Sequence, residues 1–266
     1  MINNKMIEFE ESIINEIKKC KGRASIKLVI DNYILKVDSQ EPFPSASLIK
    51  IPILIAAYRQ KELGLLDHQR RITVAAGKTV GGAGVLQALS GNLSYTIKDL
   101  LTLMIIVSDN SATNLLINEI GMESINDCLV KLGLAKTSLN RHMMAFAALQ
   151  QGRDNYTCAD DVVECLMTIN NGMFLSKDSR SEMLNILQMQ QFKDKLPALM
   201  DPGVVTTANK TGELPGVQHD CAIIQCNDKT AIVAVLTDQL RSHEDGRQTI
   251  RKIGKLVFDF ISEKQC

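Results

Sequence analysis

Residues 43–52 read Phe43-Pro44-Ser45-Ala46-Ser47-Leu48-Ile49-Lys50-Ile51-Pro52, and from Ser47 to about Leu63 the pattern is helical. This stretch divides two kinds of sequence. Before it, Met6, Ile7, Phe9, Ile13, Ile14 and Ile17 recur at helical spacing within residues 5–20. Ser25–Ile30 and Tyr33–Val37 are then short and β-branched, with Asp31-Asn32 between them as a hairpin signal. After it, much of 98–190 stays helical with short breaks. Strand character returns at Gly203–Ala208, Asp220–Gln225 and Thr230–Thr237, and a last amphipathic helix covers about Ser242–Ile261. Strands at both chain ends predict one antiparallel sheet flanked by the first and last helices. The expected fold class is α/β plus all-α. Residues 1–46 and 191–266 form the sheet layer, and 47–190 form an inserted helical lobe. The cleft between the lobes is the default place for chemistry.

Composition narrows the function. The chain has 266 residues, 45% of them apolar, with 30 Lys and Arg against 30 Asp and Glu. That is an ordinary globular composition. A formal charge of zero argues against a nucleic-acid partner and offers no polybasic handle to a membrane. Glu8, Glu10 and Glu11 interrupt the early apolar residues, so the N-terminus does not read as a secretory signal. The apolar run Ile51–Ala57 is short and holds Pro52, far from the roughly 18 residues a span requires. The cysteines at 20, 128, 158, 165, 221, 226 and 266 are scattered without a C-x-x-C pair. They suggest neither a disulfide framework nor a zinc site, and favour a reducing compartment. A cytoplasmic protein is expected, or an exported one if an upstream segment has been removed.

Several suggestive patterns fail on spacing. Gly77-Lys78-Thr79 resembles the end of a phosphate loop, but the required earlier glycine would fall at Ile72. Gly81-Gly82-Ala83-Gly84 lacks a preceding strand and reads as a flexible surface loop. His68, His142, His219 and His243 show no metal-ligand spacing, and no G-x-S-x-G elbow occurs. No metal or cofactor is expected.

Three other motifs occur once each: Ser47-Leu48-Ile49-Lys50, Ser108-Asp109-Asn110 and Lys210-Thr211-Gly212. From average residue usage, either tripeptide arises by chance in roughly one chain of this length in twenty. All three in this order are far rarer. Together with the longer stretches Phe43–Pro52, Ser108–Leu116 and Lys210–Gly216, they make the chain resemble the class A β-lactamase and penicillin-binding serine hydrolase family. The resemblance covers about residue 20 to the C-terminus, and the family's architecture agrees with the pattern of ends and middle.

The resemblance implies a role for each residue. Ser47 is the nucleophile, and Lys50, one turn on, shares its helix face as the base. A lysine serves as base only with a lowered pKa, which burial beside a second cation would give; Lys210 is the natural candidate. Ser108 relays the proton to the leaving nitrogen, and Asn110 holds the substrate amide and the Lys50 side chain. Asp109 orients the backbone of its own loop. Lys210 and Thr211 form a positive socket for a substrate carboxylate, and Gly212 lets the strand approach the ligand. The backbone N–H groups of Ser47 and Glu213 make the oxyanion hole, where one donor is typically worth ~3 kcal/mol.

One departure stands out. Class A β-lactamases carry a glutamate that positions the deacylating water, in a loop corresponding here to Leu139–Asp154. The residue expected to be glutamate is Met143 or Met144, and no glutamate occurs between Glu123 and Glu164. Arg141 and Asp154 read as the ion pair closing the loop's neck, and Met143, Met144 and Phe146 as core packing within it. The resemblance implies a small β-lactam or other acyl substrate, an acyl-enzyme on Ser47 and slow deacylation. A peptidase, amidase or esterase of the same fold is one alternative. A covalent β-lactam-binding or sensing protein is another.

Overall fold

A computed structural model of the chain describes residues 2–74, 77 and 79–263. Lys78 of the discounted Gly77-Lys78-Thr79 and the last cysteine, Cys266, lie outside the described residues. The chain opens with α1 (Ile2–Lys18), followed by β1 (Arg23–Ile30) and β2 (Tyr33–Val37). Asp31 turns that hairpin with a left-handed φ of 50°. β3 (Phe43–Pro44) leads through a tight 3-10 turn, Ala46–Ile49, into α2 (Lys50–Glu62), which is buried from Lys50 to Tyr58. β4 (Arg71–Val74) and β5 (Leu93–Thr96) form a small ribbon that the hydrophobic pattern does not announce. Next come α3 (Ile97–Ile106), α4 (Asn110–Ile120), α5 (Met122–Lys131) and the short α6 (Phe146–Gln150). β6 (Tyr156–Thr157) pairs with β3, and α7 (Ala159–Asn170) and α8 (Lys177–Gln188) complete the helical body. A further 3-10 turn, Leu196–Leu199, precedes β7 (Thr206–Leu214), β8 (Val217–Cys226), β9 (Lys229–Asp238) and α9 (His243–Ser262).

The five-stranded sheet has the order β2-β1-β9-β8-β7, antiparallel throughout, so both chain ends meet in it as expected. Its central strand, β9, is apolar on both faces because both faces are covered. Along β9, Ala231, Val233 and Val235 pack with Phe9, Ile13 and Ile17 of α1 and Ile250, Ile253 and Val257 of α9. The alternate residues Ile232, Ala234 and Leu236 join the core of the helical body, with Ile53, Leu54 and Leu166.

The strand expected at Gly203–Ala208 lies further along. Residues 202–204 turn, and β7 runs Thr206–Leu214, paired from Thr206↔Gln225 to Leu214↔Val217. Its polar stretch Asn209–Gly212 carries no hydrophobic period, so pairing to β8 sets the strand and the pattern misses it. No helix among the described residues is long and apolar enough to cross a membrane, and Cys20, Cys128, Cys158, Cys165, Cys221 and Cys226 are free thiols.

The loop at Gly81–Gly84 lies at the surface, as expected from composition, and is tied to the start of α4. Asp109 caps α4 by accepting from Ala112 N at 2.9 Å, and its other oxygen accepts from Val85 N at 2.6 Å and Leu86 N at 2.8 Å. Asn110 N donates to Ala83 O, and the Ser111 hydroxyl bonds Val80 through both N–H and C=O. Gly84 has φ +115°, and a Cβ there would lie 2.3 Å from an Asp109 oxygen. Asp109 therefore ties a second loop to its own, beyond the role expected of it. Asp109→Ala should destabilise the fold by about 2–4 kcal/mol, from a lost helix cap and two further backbone donors left without their carboxylate. Amide exchange at Val85 and Leu86 should accelerate with it. Unchanged melting and exchange would show that the loop is held by something else.

Candidate active site

The three motifs come from three elements and meet at one point. The tight turn Ala46–Ile49 presents Ser47 partly exposed, and α2 begins at Lys50, whose side chain is wholly buried. Ser108 sits in the bend between α3 and α4, and Asn110 starts α4. Lys210, Thr211 and Gly212 lie in the middle of β7, at the free edge of the sheet. Ala46 and Ser108 both take left-handed backbone (φ 45° and 55°), conformations that non-glycine residues hold only when their surroundings impose them.

The Lys50 ammonium has three acceptors for its three protons. It donates to Ser108 O at 2.7 Å, Ser108 Oγ at 3.0 Å and Asn110 Oδ1 at 2.9 Å. Lys210, equally buried, donates to the same Ser108 Oγ at 3.1 Å and to Thr211 O at 2.8 Å. One hydroxyl thus lies between two lysines. Burial lowers the Lys50 pKa well below 10.5, and the positive charge of Lys210 lowers it further. Burial brings Lys210 down to about 7. Lys50 thus feels both its own burial and the charge of Lys210, two effects that each favour its uncharged form.

Not every expected contact is made. Ser47 Oγ is not hydrogen-bonded to Lys50, whose protons all go to Ser108 and Asn110. Asn110 accepts from Lys50 through Oδ1, while its Nδ2 donates to Gly81 O at 3.1 Å. Gly212 comes close to the turn at Ser47: a Cβ on it would lie 3.2 Å from Ala46 Cβ and 3.4 Å from Ser47 N. The Glu213 side chain turns aside to Lys195 at 3.0 Å and Arg247 at 3.1 Å.

Arg141 and Asp154 pair at 2.8 Å at the loop's neck. Within the loop, Met143 is buried in the helical core, but Phe146 is 61% exposed and is not core. It begins α6, a helix of little more than one turn with no buried residue, and spacing alone cannot separate a surface turn from a packed one. Met144 (φ 61°) reaches the glycine loop: a Cβ on Gly82 would lie 3.0 Å from its sulfur and 2.7 Å from Asn110 Nδ2. Neither methionine can accept a proton from water.

Four contributors escaped the sequence reading. Asn114, one turn beyond Asn110, accepts from Met143 N at 2.7 Å and donates to Met143 O at 3.1 Å, fixing that backbone on both sides. Asn155 ties the loop's neck by accepting from Asn140 N and Arg141 N and donating to Arg141 O. The helical spacing of Asn114 from Asn110 and the adjacency of Asn155 to Asp154 were the available signals. His219, with its pKa pressed down to about 4 by burial, has Nε2 2.9 Å from Pro44 O, just before the Ser47 turn. Lys195 is buried behind β7, and nothing in its sequence surroundings marks it.

A profile of the β-lactamase enzyme family matches residues 8–261. A β-lactamase from Sphaerobacter thermophilus superposes with a TM-score of 0.89 at 29% identity, covering 97% of this chain and 98% of that one. PBP-A superposes at 0.86 with 26% identity over 96% of both chains. A leucine-to-glutamate variant of PBP-A, solved as an acyl-enzyme complex with penicillin G, fits equally well, with a TM-score of 0.86. In sequence, the β-lactamase regulatory protein BlaB of Streptomyces cacaoi is 23% identical over 279 residues, 86% of this chain and 89% of BlaB. The fold is the β-lactamase fold, and since the family match spans nearly the whole chain, this protein belongs to the β-lactamase enzyme family.

Proposed function

We propose that the protein is a serine acyl-transfer enzyme that takes β-lactams onto Ser47 and releases them slowly. The observation that carries this reading is the Lys50–Ser108–Lys210 cluster beside a loop that holds Met143 and Met144 where the family's glutamate is expected. In the proposed reaction, uncharged Lys50 takes the proton of Ser47 Oγ as that oxygen bonds to the β-lactam carbonyl carbon. The C–N bond then breaks, and the proton passes through the Ser108 hydroxyl to the leaving nitrogen. The Ser47–Lys50 contact missing here would form with substrate bound, since catalytic hydrogen bonds often close only in the complex. The N–H groups of Ser47 and Glu213 would hold the carbonyl oxygen, and Lys210 with Thr211 the substrate carboxylate.

Deacylation needs a base and a held water, and the loop offers Met143 and Met144 instead. A chromogenic β-lactam should give a burst of about one equivalent followed by turnover slower by the ~10²–10⁴-fold typical of a missing general base. Ser47→Ala should remove both phases while leaving the melting curve in place. Met143→Glu should speed the slow phase; it is the first choice because Asn114 holds the backbone of Met143 from both sides. Fast linear turnover without a burst would mean that another residue supplies the base.

A second reading has its own support. Likeness to a β-lactamase regulatory protein suits a receptor that acylates and stays acylated, and the same burst kinetics with no measurable slow phase would favour it.

Lys210 gives a pH test. It is charged below about pH 7 and loses its proton above, so its hold on a carboxylate weakens as pH rises. Acylation kcat/KM for a penicillin should therefore fall above pH 7, approaching ~10-fold per unit, while a carboxylate-free ester should show no such limb. Matching pH profiles for the two substrates would take Lys210 out of the carboxylate socket.

A further inference from the structure

Lys195 is a fully buried lysine that the proposed reaction does not use. Its Nζ donates to Gly212 O at 3.2 Å and to His219 O at 3.1 Å, and pairs with Glu213 Oε1 at 3.0 Å. Gly212 and His219 face each other across β7 and β8, so the ammonium bridges the two strands where β7 passes the Ser47 turn. Asp220, buried next along β8, adds a second carboxylate to the surroundings of the ammonium. Stability alone explains such a group poorly, because apolar residues often replace a buried ion pair without loss.

The peptide unit that Lys195 grips has a second end. The bond between Gly212 and Glu213 is trans, so its C=O and N–H point in opposite directions. With the Gly212 oxygen turned to Lys195, the Glu213 N–H turns away from it. We infer that Lys195 is a positioning residue for acyl transfer, which fixes and polarises the Gly212–Glu213 peptide so that the Glu213 N–H is a stronger, better-aimed donor to the developing oxyanion. This rests on the Ser47 acyl-enzyme reading above. A cation at the carbonyl end of a peptide strengthens the donor at its other end, as hydrogen bonds in a chain polarise one another. Lys195 has a second effect. A free carboxylate at position 213 would repel both the oxyanion and a substrate carboxylate, and Lys195 and Arg247 together hold it aside as a paired ion.

The carbonyl stretch of the penicillin acyl-enzyme, read by infrared difference spectroscopy, reports the oxyanion hole directly. In Lys195→Met the ester band should move to higher wavenumber, and acylation should slow by about tenfold or more, short of the 10²–10³-fold for outright loss of a donor. Lys195→Arg should return both toward the wild-type values. If Lys195→Met alone fails to fold, the double variant with Asp220→Asn removes the uncompensated buried carboxylate and carries the same expectation. A purely structural lysine would lower the melting temperature without moving the band, and an unmoved band on a formed acyl-enzyme overturns the inference. Absence of any acyl-enzyme in the wild type is a different result, and it removes the reading beneath as well.

Discussion

Two buried ammonium groups share one hydroxyl, and the site depends on that arrangement. Lys50 begins α2, Lys210 lies in β7, and Ser108, between α3 and α4, accepts from both at 3.0 and 3.1 Å. Desolvating two like charges so close together is costly unless one is surrendered. The electrostatics therefore favour an uncharged amine next to a serine turn, which is the condition for a lysine to act as a base near neutral pH. The same contacts join the sheet to the helical body. The cleft and its chemistry thus come from one set of hydrogen bonds, and Asp109 and Asn110 extend that set into the glycine loop.

The loop from Leu139 to Asp154 keeps its frame without its acid. Arg141 and Asp154 close the neck, Asn155 sews it, and Asn114 grips Met143 by N–H and C=O. A backbone held this firmly around a side chain that cannot move a proton suits an enzyme competent in the first half of acyl transfer and poor in the second. Met144 sets a flexible apolar side chain against the glycine loop at Gly82.

What the sequence reveals here depends on how local the cause is. The hairpin at Asp31 and the amphipathic first and last helices follow from periodicity and turn residues, and Ser47, Lys50, Ser108 and Lys210 stand in short motifs that occur once. The second half of β7, from Asn209, escapes the hydrophobic pattern because its residues are polar and only pairing with β8 makes them a strand. Phe146 reads as core from its apolar neighbours, yet the short helix it begins buries no side chain. The glycine loop looked loose because Asp109, which pins it, lies more than twenty residues away. Lys195 was invisible for a related reason. A buried lysine differs from an exposed one only in its tertiary neighbours, here Gly212, Glu213 and His219.

The central claim is that burial and the charge of Lys210 hold the Lys50 amine far more easily deprotonated than a free lysine, and a titration of ε-¹³C-labelled lysines by NMR measures this most directly. Lys50→Arg and Lys210→Arg spectra would assign the two signals. Lys50 should titrate well below 10.5, and Lys210 near 7. Two signals that keep the shift of a charged amine up to pH 10 would contradict it, because Ser47 would then have no base beside it.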